Sequence, residues 1–285
     1  MSPKVRNLNS AILMLGALLA FPPNSVHAQG KGKDPNAAFA NEMIVAQLPG
    51  RSIAALVTHR PGATKFTHGI ALFPGSPGWI ELRVEDGQVQ YGMRGNFLIR
   101  ARRHFLEDGY LTAVIDAPSD QQPSFHQSHR ETPRYGEEVR AIIEAVSKKY
   151  GALDWTFIGT SEGSVSAVHA ARMVPEAKRV VLTSSVVFPG PRGRGVEAGH
   201  VKQVKIPLLW VHHRRDPCKF TPYYRVKSYA EETGTPLVSV TGAGDTRGNP
   251  CEAFSEHGFV GTEVKVIQAT LSWIRTGQVP PDVSE

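Results

Sequence analysis

Ser161 stands at the centre of Gly159-Thr160-Ser161-Glu162-Gly163, with a glycine two positions away on either side. A serine hydroxyl is a weak nucleophile, and to act it must stand clear of the backbone where a base can reach it. A sharp strand-to-helix turn lifts it there, and the crowding of such a turn demands small residues two before and two after. The flanks suit that geometry. Trp155-Thr156-Phe157-Ile158 is short, apolar and β-prone, and 164–173 is rich in small residues suited to a helix lying close on a sheet. A helix starting at the serine also aims its free N–H groups and positive dipole end at the reaction centre.

Such a serine needs a base, and the base needs an orienting carboxylate. In an open α/β sheet, side chains that must meet come from loops at the carboxyl ends of strands, which narrows the search. Asp216 follows the apolar stretch 207–212 by a few residues, in a loop stiffened by Pro217 and Pro222, and is read as the acid. His257, in Glu256-His257-Gly258-Phe259, falls between the last strand and the last helix, where a loop can hang the imidazole over Ser161; it is read as the base. Serine, aspartate, histidine is a known chain order for this chemistry. Asp116 also ends a strand and is the rival acid. His212 and His213 are adjacent, so on a strand they face opposite sides, which argues against a metal pair. No Cys or carboxylate cluster has zinc spacing, so both are read as structural and no metal is expected. His169 is assigned to packing on the helix after Ser161.

The negative oxygen of a tetrahedral intermediate needs preset donors. One is the backbone N–H of Glu162, after the nucleophile. The other is placed in Phe73-Pro74-Gly75-Ser76, at the Ser76 N–H, with Gly75 letting the backbone approach; an ordinary tight turn is the alternative there.

These groups require a scaffold. Residues 43–48 and 53–58 read as a hairpin split by Pro49-Gly50, and 69–73 and 110–116 as strands buried on both faces. Alternation over 80–91, broken at Asp86-Gly87, suggests a small hairpin beside the site. Apolar spacing predicts helices over 95–109, 133–150, 223–232 and 263–274, and further strands over 179–185, 207–212 and 236–240. Alternating strands and helices imply an α/β class with a mostly parallel sheet covered on both faces. The stretch 187–204 holds Pro189, Gly190, Pro191, Gly193 and Gly195, too many breakers for a multi-helix cap, so a minimal lid and an open site are expected.

Lys4 and Arg6 precede an apolar run over 11–21, and Val26-His27-Ala28 supplies small residues for a signal peptidase. The expectation is a signal peptide over 1–28, a single domain over 29–285, and export to the periplasm or medium. Removing Lys4 and Arg6 lowers the formal charge from +6 to +4, mildly basic, with arginines scattered in short pairs and no nucleic-acid motif. No other stretch is long and apolar enough to cross a membrane, so no stable insertion is expected after cleavage. Cys218 and Cys251 flank the acid and base closely; in an exported protein they are more readily bonded than free, and a bond would tie the two loops together.

The Gly159–Gly163 pentapeptide, Asp216 after its strand, His257-Gly258-Phe259 and the Pro74-Gly75-Ser76 loop together resemble the α/β-hydrolase superfamily over most of the mature chain, and within it the exported bacterial serine hydrolases. The resemblance implies hydrolysis of an ester, thioester, lactone or amide through an acyl-serine, without cofactor. A carboxylic ester is the favoured small-molecule substrate; a serine peptidase or amidase on the same fold and an exported binding protein are the alternatives. Pro74 stands where many members have His, and Ser164 where many lipases have Gly. Glu162 puts a carboxylate beside the nucleophile, a feature expected to discourage anionic substrates.

Overall fold

The computed structural model describes residues 34–284; the leader expected over 1–28 lies outside the described residues. In chain order the strands are β1 (Ala40–Leu48), β2 (Arg51–His59), β3 (His68–Phe73), β4 (Arg83–Glu85), β5 (Gln88–Gln90), β6 (Tyr110–Ile115), β7 (Asp154–Thr160), β8 (Ala177–Thr183), β9 (Leu208–His213) and β10 (Leu237–Val240). Eight of them form one sheet in the order β1-β2-β6-β3-β7-β8-β9-β10, while β4 and β5 pair as a separate hairpin. β1 runs antiparallel to β2, and β2 to β6; every other neighbour in the large sheet is parallel.

The helices are α1 (Phe97–Ala101), α2 (Gln127–Arg130), α3 (Pro133–Tyr150), α4 (Gly163–Ala171), α5 (Ala198–Lys202), α6 (Tyr223–Thr233) and α7 (Glu263–Thr276). α3 shows how local chemistry sets an element. Thr132 caps it by accepting from the Tyr135 N–H, Pro133 fills the first turn, and Val139, Ile142, Ile143 and Val146 form its buried stripe.

Side chains alternate across the parallel strands and divide the core in two. Phe73, Phe157, Leu182 and Trp210 face a layer with Val139 and Ile143 of α3, Val165 and Val168 of α4 and Val226 of α6. Their neighbours Leu72, Ile158, Val181 and Leu209 face the other layer, with Leu98 of α1 and Ile267 and Leu271 of α7. Helices therefore cover both faces of a mostly parallel sheet.

Two expectations are refined. The helix over 95–109 is only α1, followed by a tighter 3₁₀ turn at Arg102–Phe105. Arg102 is buried and its Nη1 donates 2.8 Å to the Ile99 carbonyl, the acceptor a continuing α-helix would use. The stretch 187–204 is not wholly irregular: Gly190 and Gly193 bridge each other, and the five-residue α5 follows, still far from a multi-helix cap.

Candidate functional site

Because β3, β7, β8, β9 and β10 are parallel, the loops after them open at one edge of the sheet. Ser161 follows β7 directly, Asp216 follows β9, and His257 sits in a 3₁₀ turn (Glu256–Gly258) between β10 and α7. The loop 74–78 follows β3, whose Phe73 pairs with Gly159.

Ser161 has a φ of 55°, a left-handed conformation that costs a non-glycine residue energy. Its N–H donates 3.1 Å to the Thr183 carbonyl, and its own carbonyl accepts the Ser164 hydroxyl at 2.6 Å. The flanking glycines are required by close approach. A side chain at Gly159 would strike the Gly163 carbonyl, and one at Gly163 would strike the Phe73 carbonyl. Gly75 is the part of the β3 loop that touches the serine: a Cβ there would lie 2.9 Å from Ser161 Cβ and 3.4 Å from its Oγ. Ser76 beside it is exposed, with a cis bond to Pro77.

His257 is buried, and its Nδ1 lies 3.0 Å from Asp216 Oδ2 and 3.3 Å from Oδ1. Asp216 Oδ1 also accepts the Cys218 N–H at 3.0 Å. Burial pushes the Asp216 carboxyl up, but electrostatic attraction and hydrogen bonding to the His257 and His212 rings outweigh it and hold the group well below the usual carboxylate range. With an ionised carboxylate facing Nδ1, the imidazole carries its proton there and leaves Nε2 as the basic nitrogen. Cys218 and Cys251 form a disulfide that joins the loop of Asp216 to that of His257.

Asp116, the rival acid, is engaged elsewhere. It accepts backbone N–H groups of Ile80, Leu82 and Ala117 at 2.7, 3.1 and 2.8 Å, fastening the base of the β4–β5 hairpin. His169 stacks edge-on with His200, its ring centroid 4.7 Å away, and burial lowers its pKa to about 3, which keeps it neutral. His213 is structural, with Nε2 2.8 Å from the Gly242 carbonyl. His212 Nε2 lies 2.8 Å from the Thr221 carbonyl and 3.4 Å from Asp216 Oδ2. Among the described residues no cluster of His, Cys, Asp or Glu could hold a metal ion, and no helix is long and apolar enough to cross a membrane.

Three further side chains shape the site and carry no sequence signature. Ser184, buried with a φ of 41°, donates 2.6 Å to the His257 carbonyl. Thr221 places its hydroxyl 3.2 Å from His257 Nδ1. Arg192, from the turn bridged by Gly190 and Gly193, donates 3.0 Å to Glu162 Oε2 and 2.7 Å to the Phe125 carbonyl. Glu162 is therefore paired, and its charge beside Ser161 is balanced. A surface groove of about 530 Å³ lined by Arg214, Tyr223, Glu231, Ser239 and Asp282 contains none of Ser161, Asp216 and His257, so concavity alone does not mark this site.

No family model and no curated protein sequence matches the chain. Solved structures do. Est1E from Butyrivibrio proteoclasticus superposes with a TM-score of 0.55 at 15% identity, covering 82% of this chain and 97% of that one. The esterase domain of a Rhodothermus marinus protein gives 0.55 at 14% identity, covering 83% and 98%. An alpha-beta serine hydrolase homologue from Coxiella burnetii gives 0.54 at 17% identity, covering 80% and 97%. With the strand order, the two covered faces and the glycine-flanked turn after β7, this likeness establishes that the chain has the α/β-hydrolase fold.

Proposed function

We propose that the chain is a serine hydrolase that cleaves a carboxylic ester, or the related thioester or lactone, through an acyl-serine. The observation that carries this reading is the 3.0 Å contact of His257 Nδ1 with a buried Asp216, at the same sheet edge as a serine in a left-handed turn. Ser161 Oγ attacks the carbonyl carbon while His257 Nε2 takes its proton, and Asp216 stabilises the imidazolium that forms. The negative carbonyl oxygen is received by the backbone N–H groups of Glu162 and Ser76. His257 then returns the proton to the leaving alcohol, and a water deprotonated by the same nitrogen hydrolyses the acyl-serine. None of these steps calls for a cofactor.

One observation favours ester over amide as substrate class: several solved structures of the same fold are named as esterases, beside one named as an acylaminoacyl peptidase. The apolar run over 11–21 and the Cys218–Cys251 bond support an exported protein whose leader is removed. The test is hydrolysis of p-nitrophenyl esters by the purified chain lacking residues 1–28, beside its Ser161→Ala variant. Turnover abolished by the substitution supports the reading. Cleavage of aminoacyl anilides with poor ester turnover would point to the peptidase alternative, and inactivity on both would point to a binding protein.

A further inference from the structure

His212 occupies an unusual place. It is fully buried at the end of β9, and its Nε2 faces two acceptors, the Thr221 carbonyl at 2.8 Å and Asp216 Oδ2 at 3.4 Å. A carbonyl oxygen only accepts, so Nε2 carries the proton. The opposite nitrogen, Nδ1, is buried among the described residues with no hydrogen-bond partner. Thr221 in turn sets its hydroxyl 3.2 Å from His257 Nδ1, and that hydroxyl also reaches the Cys218 carbonyl at 3.3 Å. The contacts close a ring: Asp216 touches both imidazoles, and Thr221 touches both imidazoles.

We infer that His212 is a positioning residue for the Asp216–His257 pair: its Nε2–H spans the Thr221 carbonyl and the Asp216 carboxylate and so holds the acid's loop against the base. The inference rests on the reading of Asp216 as acid and His257 as base. The loop between β9 and α6 contains Pro217 and Pro222, two residues that give no backbone N–H, so side-chain donors take on more of its fixing. Asp216 Oδ1 has a backbone donor in Cys218, whereas Oδ2 is the oxygen shared by the two histidines. Without His212, Oδ2 keeps only His257, and the Thr221 carbonyl loses the donor that fixes the hydroxyl beside Nδ1. Carboxylate and threonine are then free to rotate away from the geometry that presents Nε2 to the serine, and sub-ångström to one-ångström misplacement of such groups is costly to catalysis.

The experiment compares wild type, His212→Leu and His212→Gln for kcat and KM on a p-nitrophenyl ester, with Ser161→Ala as control. The expected result is a loss of roughly 10- to 100-fold in kcat for His212→Leu with KM within about twofold, and substantial recovery in His212→Gln, whose side-chain amide restores an N–H donor. Equal kcat in wild type and His212→Leu, or equal loss in the Leu and Gln variants, overturns the inference. Should the Leu variant fail to fold, ¹⁵N NMR of the wild-type histidines decides: an Nε2–H tautomer at His212 supports it, and an Nδ1–H tautomer overturns it. The two readings fail separately. Inactive wild type, or active Ser161→Ala, removes the hydrolase reading itself, while an active wild type with an indifferent His212 removes only this inference.

Discussion

Ser184 Oγ donates a 2.6 Å hydrogen bond to the backbone carbonyl of His257. The preceding residue, Thr183, accepts the Ser161 N–H. Two consecutive residues at the end of β8 thus hold the serine turn and the histidine loop to one strand. Ser184→Ala leaves a buried carbonyl without its donor, a loss of about 1–3 kcal/mol. The denaturant midpoint should fall accordingly, and kcat should drop more than KM rises. Unchanged stability and turnover would show that this bond positions neither group.

The disulfide makes a second tie. Cys218 and Cys251 are 33 residues apart, a loop whose closure is worth about 3–4 kcal/mol in the chain-entropy view. A Cys218→Ser, Cys251→Ser double variant should lose stability of that order by denaturant unfolding. Because the bond joins the loops of Asp216 and His257, ester turnover should decline at temperatures well below the melt. A variant as active and as stable as wild type would contradict this.

Arg192 and Glu162 form a third contact of consequence, with side-chain exposures of 25% and 10%. Arg192→Ala takes from a largely buried carboxylate its hydrogen-bonded partner, leaving the buried Arg130 guanidinium as a nearby charge, so both stability and kcat should fall, the former by about 1–3 kcal/mol. Adding Glu162→Gln should recover part of the loss, since the carboxylate that lost its hydrogen-bonded partner is gone. If the double variant is worse than Arg192→Ala by the full cost of the second change, the two residues act independently.

Asp116 predicts a pH dependence of stability. Burial raises its carboxyl from 3.8 to about 6, against the pull of its three backbone donors. The folded chain therefore holds this proton more tightly than the unfolded chain. The stabilisation is fully present below the unfolded value and is lost as pH rises through about 6, a change of about 3 kcal/mol. Asp216 has the opposite sign: its depressed carboxyl contributes above the unfolded value and is lost as pH falls below it. Asp116→Asn keeps the Asp216 contribution and removes its own, so the stability difference between wild type and variant should move against wild type by about 2 kcal/mol from about pH 4 to pH 7. Denaturant titrations across that range measure it, and a constant difference would refute the assignment.

The scaffold was legible because it depends on patterns along the chain. Buried parallel strands read as apolar runs, α3 announced itself by the stripe of Val139, Ile142, Ile143 and Val146, and the glycines around Ser161 recorded the crowding of one turn. Asp216 and His257 could be nominated because the fold confines them to loops after particular strands, and the structure brings them into contact. Ser184, Thr221, Arg192 and the facing of His212 could not be read, because each acts through neighbours 4 to 73 positions away with no periodicity linking them. The end of α1 was missed for a similar reason: Arg102 turns inward to Thr58 and Tyr91, contacts that exist only once β2 and the β5 region have come together.

The most direct measurement is covalent labelling of the purified chain with a fluorophosphonate, followed by intact mass and peptide sequencing. A single adduct on Ser161, absent from Ser161→Ala and slowed by orders of magnitude in His257→Ala, is the outcome expected of a serine activated by that imidazole. A folded protein that takes no label, or takes it at another residue while Ser161 stays unmodified, would contradict the assignment.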